Sequence, residues 1–205
     1  MKTERLQEIY SKTVGHYNGS AKSFWEGTHD HDVSQNIAAL LEYLPDTKGH
    51  RILDFGCGPG RDLAAFKKLE HLPTGLDGSE NFCEMARQHS GCEVWHQDFL
   101  ALELPEQRFE GVFANASLFH VPSSELPRVL REIWHTLAPN GVFFTSNPRG
   151  PDSEGWNGSR YGVYHSLVGW RSALSAAGFT ELHHYYRPSG LPREQQGWLA
   201  TVWRK

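Results

Sequence analysis

Three aspartates stand at or near the ends of short apolar runs, each beside residues that could cradle a ligand. Asp54 lies in "RILDF" and opens Asp54-Phe55-Gly56-Cys57-Gly58-Pro59-Gly60-Arg61. Asp77 closes "PTGLD" and precedes Gly78 and Ser79; Asp98 stands in "HQDF", between Gln97 and Phe99. Glycines let the backbone approach a ligand closely, and these come just before a helical stretch whose first N–H groups lack helical partners. The dinucleotide fingerprint G-x-G-x-x-G fails, because Arg61 takes the place of the last glycine, but the tighter G-x-G-x-G remains. A carboxylate placed like Asp77 can take both hydroxyls of a ribose, a feature that does not by itself separate NAD from other nucleosides. One placed like Asp98 can accept from an adenine amino group, with Phe99 packed on the base.

Two further segments carry chemistry-bearing side chains. "FWEGTHDHDVSQN" holds Phe24, Trp25, His29, Asp30, His31 and Asp32. The two histidines are two apart, unlike the i, i+4 pair of a metal-binding helix, so no metal site is expected. Asp32 to Gln35 has the pattern of a capping box, with Asp32 as N-cap and Val33 opening a helix. The residues before it are expected to fold over the ligand. "NPRGPDSEGWNGSRYGVYH", residues 147–165, reads as a long glycine-rich loop carrying Asn147, Arg149, Trp156, Arg160, Tyr161 and Tyr164. Loops of that length are often binding lids. Arginine can pair a carboxylate bidentately, and Tyr or Asn can bond a ring nitrogen. "HHYYR" adds Tyr185, Tyr186 and Arg187, of which strand alternation puts two on one face. Cys57 reads as a packing residue rather than a nucleophile.

The elements that must position these groups alternate. "RILDF", "PTGLD", "EVWHQD", "FEGVFANA" and "VFFTSN" read as strands. "DLAAFKKLE", "SENFCEMARQHS" with Ser79 as N-cap, a stretch through Leu126, Val129, Leu130, Ile133 and Leu137, and "SLVGWRSALSAAG" read as helices. "APNG" ends the third of these, and Gly178 the last. Strand–helix alternation predicts a parallel sheet with helices on both faces. "TELHHYYR" and "WLATVWR" have no helix between them and must pair antiparallel. The expected fold is therefore α/β and Rossmann-like: seven strands, mostly parallel, with an antiparallel C-terminal hairpin. Residues 1–205 form one domain, with a helical lid over 1–48 and the core over 49–205. In such a sheet, ligands bind outside the carboxyl ends of the strands, where all three aspartates fall.

Bulk composition narrows the classes. The chain has 205 residues and a net charge of −4. No basic tract is present, which disfavours nucleic acid and anionic membrane as partners. No apolar run approaches the roughly 20 residues of a spanning helix. The N-terminal residues do not read as a signal peptide, and three irregularly spaced cysteines suggest a reducing cytoplasm.

Together, "LDFGCGPGRDL", "GLDGS", "HQDFL" and the antiparallel finish resemble class I S-adenosylmethionine-dependent methyltransferases. The resemblance implies that Gly56, Gly58 and Gly60 admit the methionine part of the cofactor and that Asp54 orients its amino group. It implies that Asp77 holds the ribose, Asp98 the adenine, and that Asn115 to His120 form the floor near the sulfonium. Trp25, Arg61, Gly78, Ser79, Gln97 and Phe99 are expected at the same site. "FWEGTHDHDVSQNIAALL", "FANASLFHVPSSELPRVL", "GWNGSRYGVYH" and "YYRPSGLPREQQGWLA" further resemble the methyltransferase domain of ovothiol-biosynthesis enzymes. That resemblance implies N-methylation of the imidazole π-nitrogen of 5-thiohistidine, or of its selenium counterpart, 5-selenohistidine. It also implies functional pairing with a separate sulfoxide or selenoxide synthase. A different thiol or chalcogen methyltransferase, or a scaffold that binds the cofactor without turnover, are the alternatives. The substrate is expected to meet Phe24, His29, Asp30, His31, Asn147, Arg149, Trp156, Arg160, Tyr161, Tyr164, Tyr185 and Arg187. Asn147, Tyr161 and Tyr164 are the candidates for positioning the nucleophile, and no general base is expected.

Overall fold

The computed structural model describes residues 2–205. Nine strands and six α-helices follow in chain order. The strands are β1 (Arg51–Phe55), β2 (Leu72–Asp77), β3 (Glu93–His96), β4 (Phe109–Asn115), β5 (Leu137–Pro148), β6 (Ser153–Asn157), β7 (Arg160–Tyr164), β8 (Thr180–Arg187) and β9 (Trp198–Arg204). The helices are α1 (Lys2–Thr28), α2 (Ser34–Leu41), α3 (Arg61–Lys68), α4 (Glu80–Ser90), α5 (Leu126–Thr136) and α6 (Leu167–Ala176). Seven strands make one sheet in the order β3-β2-β1-β4-β5-β9-β8. β1 to β5 run parallel, and β9 pairs antiparallel with both β5 and β8. This is the expected Rossmann-like sheet with its antiparallel end.

Alternation along β1 explains how the sheet is covered. Ile52 joins Phe113, Val142 and Phe144 beneath α2 and α3. Leu53 and Phe55 face the other way, into a core with Val129, Leu130 and Ile133 of α5 and Trp170 and Leu174 of α6. Both faces are dry, as a parallel sheet requires. The strand order reverses between β1 and β4, which opens a crevice at their carboxyl ends.

Three local expectations change. Residues 147–165 are not an open loop. They continue β5 and then form the β6–β7 hairpin, with Asn157 opposite Arg160 across the turn and Gly158 at φ 61°. The turn residues are Gly158 and Ser159, and Gly158 supplies the positive φ that a tight hairpin turn needs, so the turn chemistry overrides the glycine-rich composition. "FWEGT" is the last part of α1. Asp32 stands one place outside its expected cap: α2 begins at Ser34, and Asp32 Oδ1 accepts the Ser34 N–H at 2.9 Å. Leu137 leaves the helix and begins β5, opposite Phe109.

Candidate functional site

The crevice is a cavity of about 680 Å³, walled by the carboxyl ends of the strands and roofed by α1. That volume falls within the usual range for small-molecule sites. α1 contributes Tyr10, Val14, Tyr17, Phe24 and Thr28, which recur at helical spacing on one face. Phe24 lies 5.1 Å from Phe82 and 5.7 Å from Tyr17, ring centre to ring centre, so the roof is an aromatic cluster.

The glycine loop forms the floor, and each glycine has its own reason. A Cβ on Gly56 would lie 2.3 Å from the Ser117 Cβ, and one on Gly60 would lie 2.7 Å from the Ala86 Cα. Those two glycines are demanded by packing and by φ of 83° and 93°. At Gly58 a Cβ would meet only the edge of Phe24, at 3.9 Å, and Gly58 lines the cavity. A side chain there would fill ligand space. His89 Nδ1 lies 2.8 Å from the Pro59 carbonyl, and its ring stacks on Trp25 at 4.1 Å, which fastens the loop to α1 and α4.

Two of the expected carboxylates, Asp77 and Asp98, line this cavity, and the third, Asp54, is buried behind the floor. Asp77 Oδ2 accepts the Gly58 N–H at 2.9 Å and its Oδ1 the Ser79 N–H at 2.8 Å. Burial nonetheless pushes the Asp77 carboxyl up to about 6. Asp54 is buried, and its Oδ2 has no partner among the described residues. Burial, then the neighbouring Asp62 carboxylate, raise it well above the usual range. Asp98 lines the far end beside Phe99, which stacks on Phe55 at 4.4 Å.

A chain of side chains closes the opposite wall. Tyr185 Oη donates to Asn36 Oδ1 at 2.8 Å, Asn36 Nδ2 to Asn115 Oδ1 at 2.9 Å, and Asn115 Nδ2 to Asp62 Oδ2 at 3.0 Å. Arg61 grips Asp62 at 2.7 and 3.1 Å and donates to the Thr28 carbonyl at the end of α1. His120, half-buried and neutral, lies against Tyr17; desolvation pushes its imidazole down to about 4.

The cavity brings together Trp25, Gly56, Gly58, Arg61, Asp77, Gly78, Asp98, Phe99, Asn115 and His120 of the expected cofactor residues. Gly60 and Ser79 stand behind the wall as helix starts, Ser79 accepting the Phe82 N–H as N-cap of α4. Gln97 pairs instead with the backbone of Glu103. Of the expected substrate residues, Phe24, His31, Arg160 and Arg187 line the cavity. The others do not. His29 and Asp30 are exposed. Asn147 is buried and accepts the Phe119 N–H at 3.2 Å, so it shapes the wall from behind. Arg149 donates to the carbonyls of Gln196 and Arg193, tying β5 to the β8–β9 connection. Trp156 is exposed beneath Lys12. Tyr161 is buried with Ile9 and Val163. Tyr164 packs under Gly150, and Tyr185 faces α2. The reason is common to several of them: hairpin and strand alternation send every second side chain away from the crevice.

Sequence reasoning missed Tyr10, Tyr17, Asp62 and Phe82. The period of Tyr10, Val14, Tyr17 and Phe24 along α1 was the available signal. Among the described residues no group of three or more His, Cys, Asp or Glu gathers as metal ligands do, and no helix is long and apolar enough to cross a membrane.

Comparison with known proteins bears on this geometry. Residues 52–141 match the family described as "Methyltransferase domain". The 24-methylenesterol C-methyltransferase 2 of Oryza sativa is 30% identical over 132 residues, which are 60% of this chain and 34% of that one. This chain thus spans about a third of the rice protein's length. Demethylmenaquinone methyltransferase of Symbiobacterium thermophilum is 27% identical over 84% of this chain and 68% of its own. In structure, the Burkholderia thailandensis 1,6-didemethyltoxoflavin-N1-methyltransferase superposes with a TM-score of 0.77 at 22% identity. That match covers 100% of this chain and 90% of that one, which was solved with its substrate and S-adenosylhomocysteine bound.

Proposed function

We propose that this class I S-adenosylmethionine-dependent methyltransferase methylates an imidazole nitrogen of a small histidine-derived thiol, the π-nitrogen of 5-thiohistidine. The observation that carries the reading is that Arg160 and Arg187 both line a cavity whose roof is aromatic. Two guanidinium groups suit the carboxylate of a free amino acid, and the aromatic walls suit a flat ring. The resemblance to ovothiol-biosynthesis methyltransferase domains supports the same choice.

The residues present fit the cofactor. The unpartnered Asp54 Oδ2 would hold its ammonium, Asp77 its ribose hydroxyls, and Asp98 with Phe99 its adenine. Gly58 leaves open the space its methionine part needs. When bound, S-adenosylmethionine supplies a methyl group on a sulfonium, open to in-line displacement.

The protein's own contribution is placement and dryness. α1 roofs the cavity with Tyr17 and Phe24 and keeps water out. Arg160 and Arg187 would fix the substrate's amino-acid end, which aims the ring. A thiolate is intrinsically the stronger nucleophile, so orientation must decide for nitrogen. Transfer of the methyl group would leave a positive charge on the substrate ring, which the substrate's own thiolate would balance, so the site needs no further charged group for it.

The test is a parallel assay of 5-thiohistidine, 5-selenohistidine and histidine, with kcat/KM for each and the product identified by mass spectrometry and NMR. The expected result is N-methylation with the thiol preferred over histidine. S-methylation, or no methylation of any of the three, overturns the reading. A 5-selenohistidine preference would assign the selenium pathway instead, because the same contacts serve both anions.

A further inference from the structure

We infer that Tyr17 and His120 form a tautomer selector, which admits the acceptor ring only with its N–H turned to Tyr17 and its bare nitrogen turned to the methyl group. The inference rests on the reading of the substrate as an imidazole.

The argument is one of proton accounting along a fixed chain. His120 Nδ1 lies 2.6 Å from the Tyr161 carbonyl oxygen. A carbonyl only accepts, so Nδ1 carries the ring proton. Burial keeps the imidazole neutral, with its titration pushed down to about 4, so Nε2 has none. The Tyr17 hydroxyl, 2.7 Å from Nε2, must therefore donate to it. Its proton is committed. What the Tyr17 oxygen still offers is lone pairs, and the neighbouring Arg160 guanidinium, which can only donate, agrees with that sense.

Both side chains line the cavity. Toward a ligand, Tyr17 is thus an acceptor without a proton to give. A neutral imidazole has one N–H and one bare nitrogen, and only the bare one is a nucleophile. A ring that donates its τ N–H to Tyr17 necessarily presents the π-nitrogen with its lone pair free. A ring of the opposite tautomer sets lone pair against lone pair in a place with little water to intervene. The backbone carbonyl of Tyr161, from the β6–β7 hairpin, fixes the sense of the whole chain through His120. During transfer the τ proton stays on its nitrogen, so no proton moves in the bond-making step.

The experiment measures product regiochemistry and kcat/KM for the wild type, Tyr17→Phe and His120→Phe on 5-thiohistidine. Binding of S-adenosylhomocysteine and thermal melting serve as controls of folding. The wild type should give the π-methyl product alone. Tyr17→Phe should lower kcat/KM about tenfold to hundredfold and release some τ-methyl product. His120→Phe frees the Tyr17 proton and should leak in the same way. A second arm needs no variant: the wild type should turn over a τ-N-methylated substrate analogue at least about tenfold less well than the unsubstituted compound. Wild-type regiochemistry and rate in both variants, or equal turnover of the analogue, overturns the selector while leaving the substrate reading intact. A wild type that methylates no imidazole at all overturns the reading, and the selector with it.

Discussion

Asp77 grips the backbone of the residue whose missing side chain makes room for the ligand: its Oδ2 accepts the Gly58 N–H at 2.9 Å. The carboxylate that shapes the floor also faces the cavity, so its protonation state bears on both.

The first prediction is a pH dependence of cofactor binding. Burial raises the Asp77 carboxyl to about 6, and Asp54 is raised well above the usual range by burial and by Asp62. Hydroxyl and ammonium donors prefer the charged carboxylates, so binding must displace protons below that range. Calorimetric affinity for S-adenosylhomocysteine should therefore tighten as pH rises through about 6. Asp77→Asn should bind weakly and flatten that part of the profile. The sign for the unliganded protein is opposite. Its folded state holds the Asp77 proton more tightly than the unfolded chain, so this group costs stability as pH rises from about 4 to about 6.

The three glycines should separate by assay. Gly56→Ala and Gly60→Ala drive a Cβ into Ser117 or into the backbone of Ala86. Overpacking of that kind costs about 1–3 kcal/mol, so melting temperature should fall by several degrees in each. Gly58→Val meets no wall but occupies the cavity, and at a φ of 51° it strains the backbone as well. It should lower the melting temperature too, and it should differ from the other two in weakening S-adenosylhomocysteine binding in the protein that remains folded.

Arg61 should matter to the roof more than to the floor. Its guanidinium holds Asp62 and the Thr28 carbonyl together. In Arg61→Ala, amide exchange over the last turns of α1 should speed up, and substrate KM should rise. Unchanged protection of α1 would assign Arg61 to cofactor contact alone.

The rim and the hairpin interior should respond differently. Arg160→Ala and Arg187→Ala should lower kcat/KM about tenfold or more for a carboxylate-bearing substrate and far less for its decarboxylated analogue. Tyr161→Phe keeps the carbonyl that His120 uses and removes only a buried hydroxyl. It should lose about 1 kcal/mol of stability, read as a few degrees of melting temperature, with kcat within about threefold of wild type. Arg149→Ala should behave alike, since its partners are the carbonyls of Gln196 and Arg193.

What the sequence revealed and what it hid have physical causes. The parallel sheet was legible because β1, β2 and β4 are buried on both faces and read as apolar runs. The positions of Asp54 and Asp77 followed, since the ends of their strands are marked by the glycines after them. The hairpin was hidden. Its β6 strand is mostly exposed, and three glycines dilute the β signal, although Gly158-Ser159 announced the turn. Assigning Tyr161 and Tyr164 to the site followed from treating the segment as a loop, where direction is free. In a strand it is not. Tyr17 was hidden for another reason: α1 is rich in charge, and its cavity face is recognised only once the cavity exists.

The roof is built from two stretches of chain far apart in sequence. Ile9 of α1 is buried with Tyr161 and Val163 of β7, Thr13 Oγ1 accepts the Tyr161 N–H at 3.1 Å, and Ser159 Oγ lies 2.8 Å from His16 Nδ1. These contacts fall where the helix meets the hairpin, and Ile9 and Thr13 line the cavity as well. They weld helix and hairpin into one cover, so neither can tilt without carrying the other. A substitution at Ile9 would then shift Arg160 and Tyr17 together, retuning substrate choice through the cover as a whole.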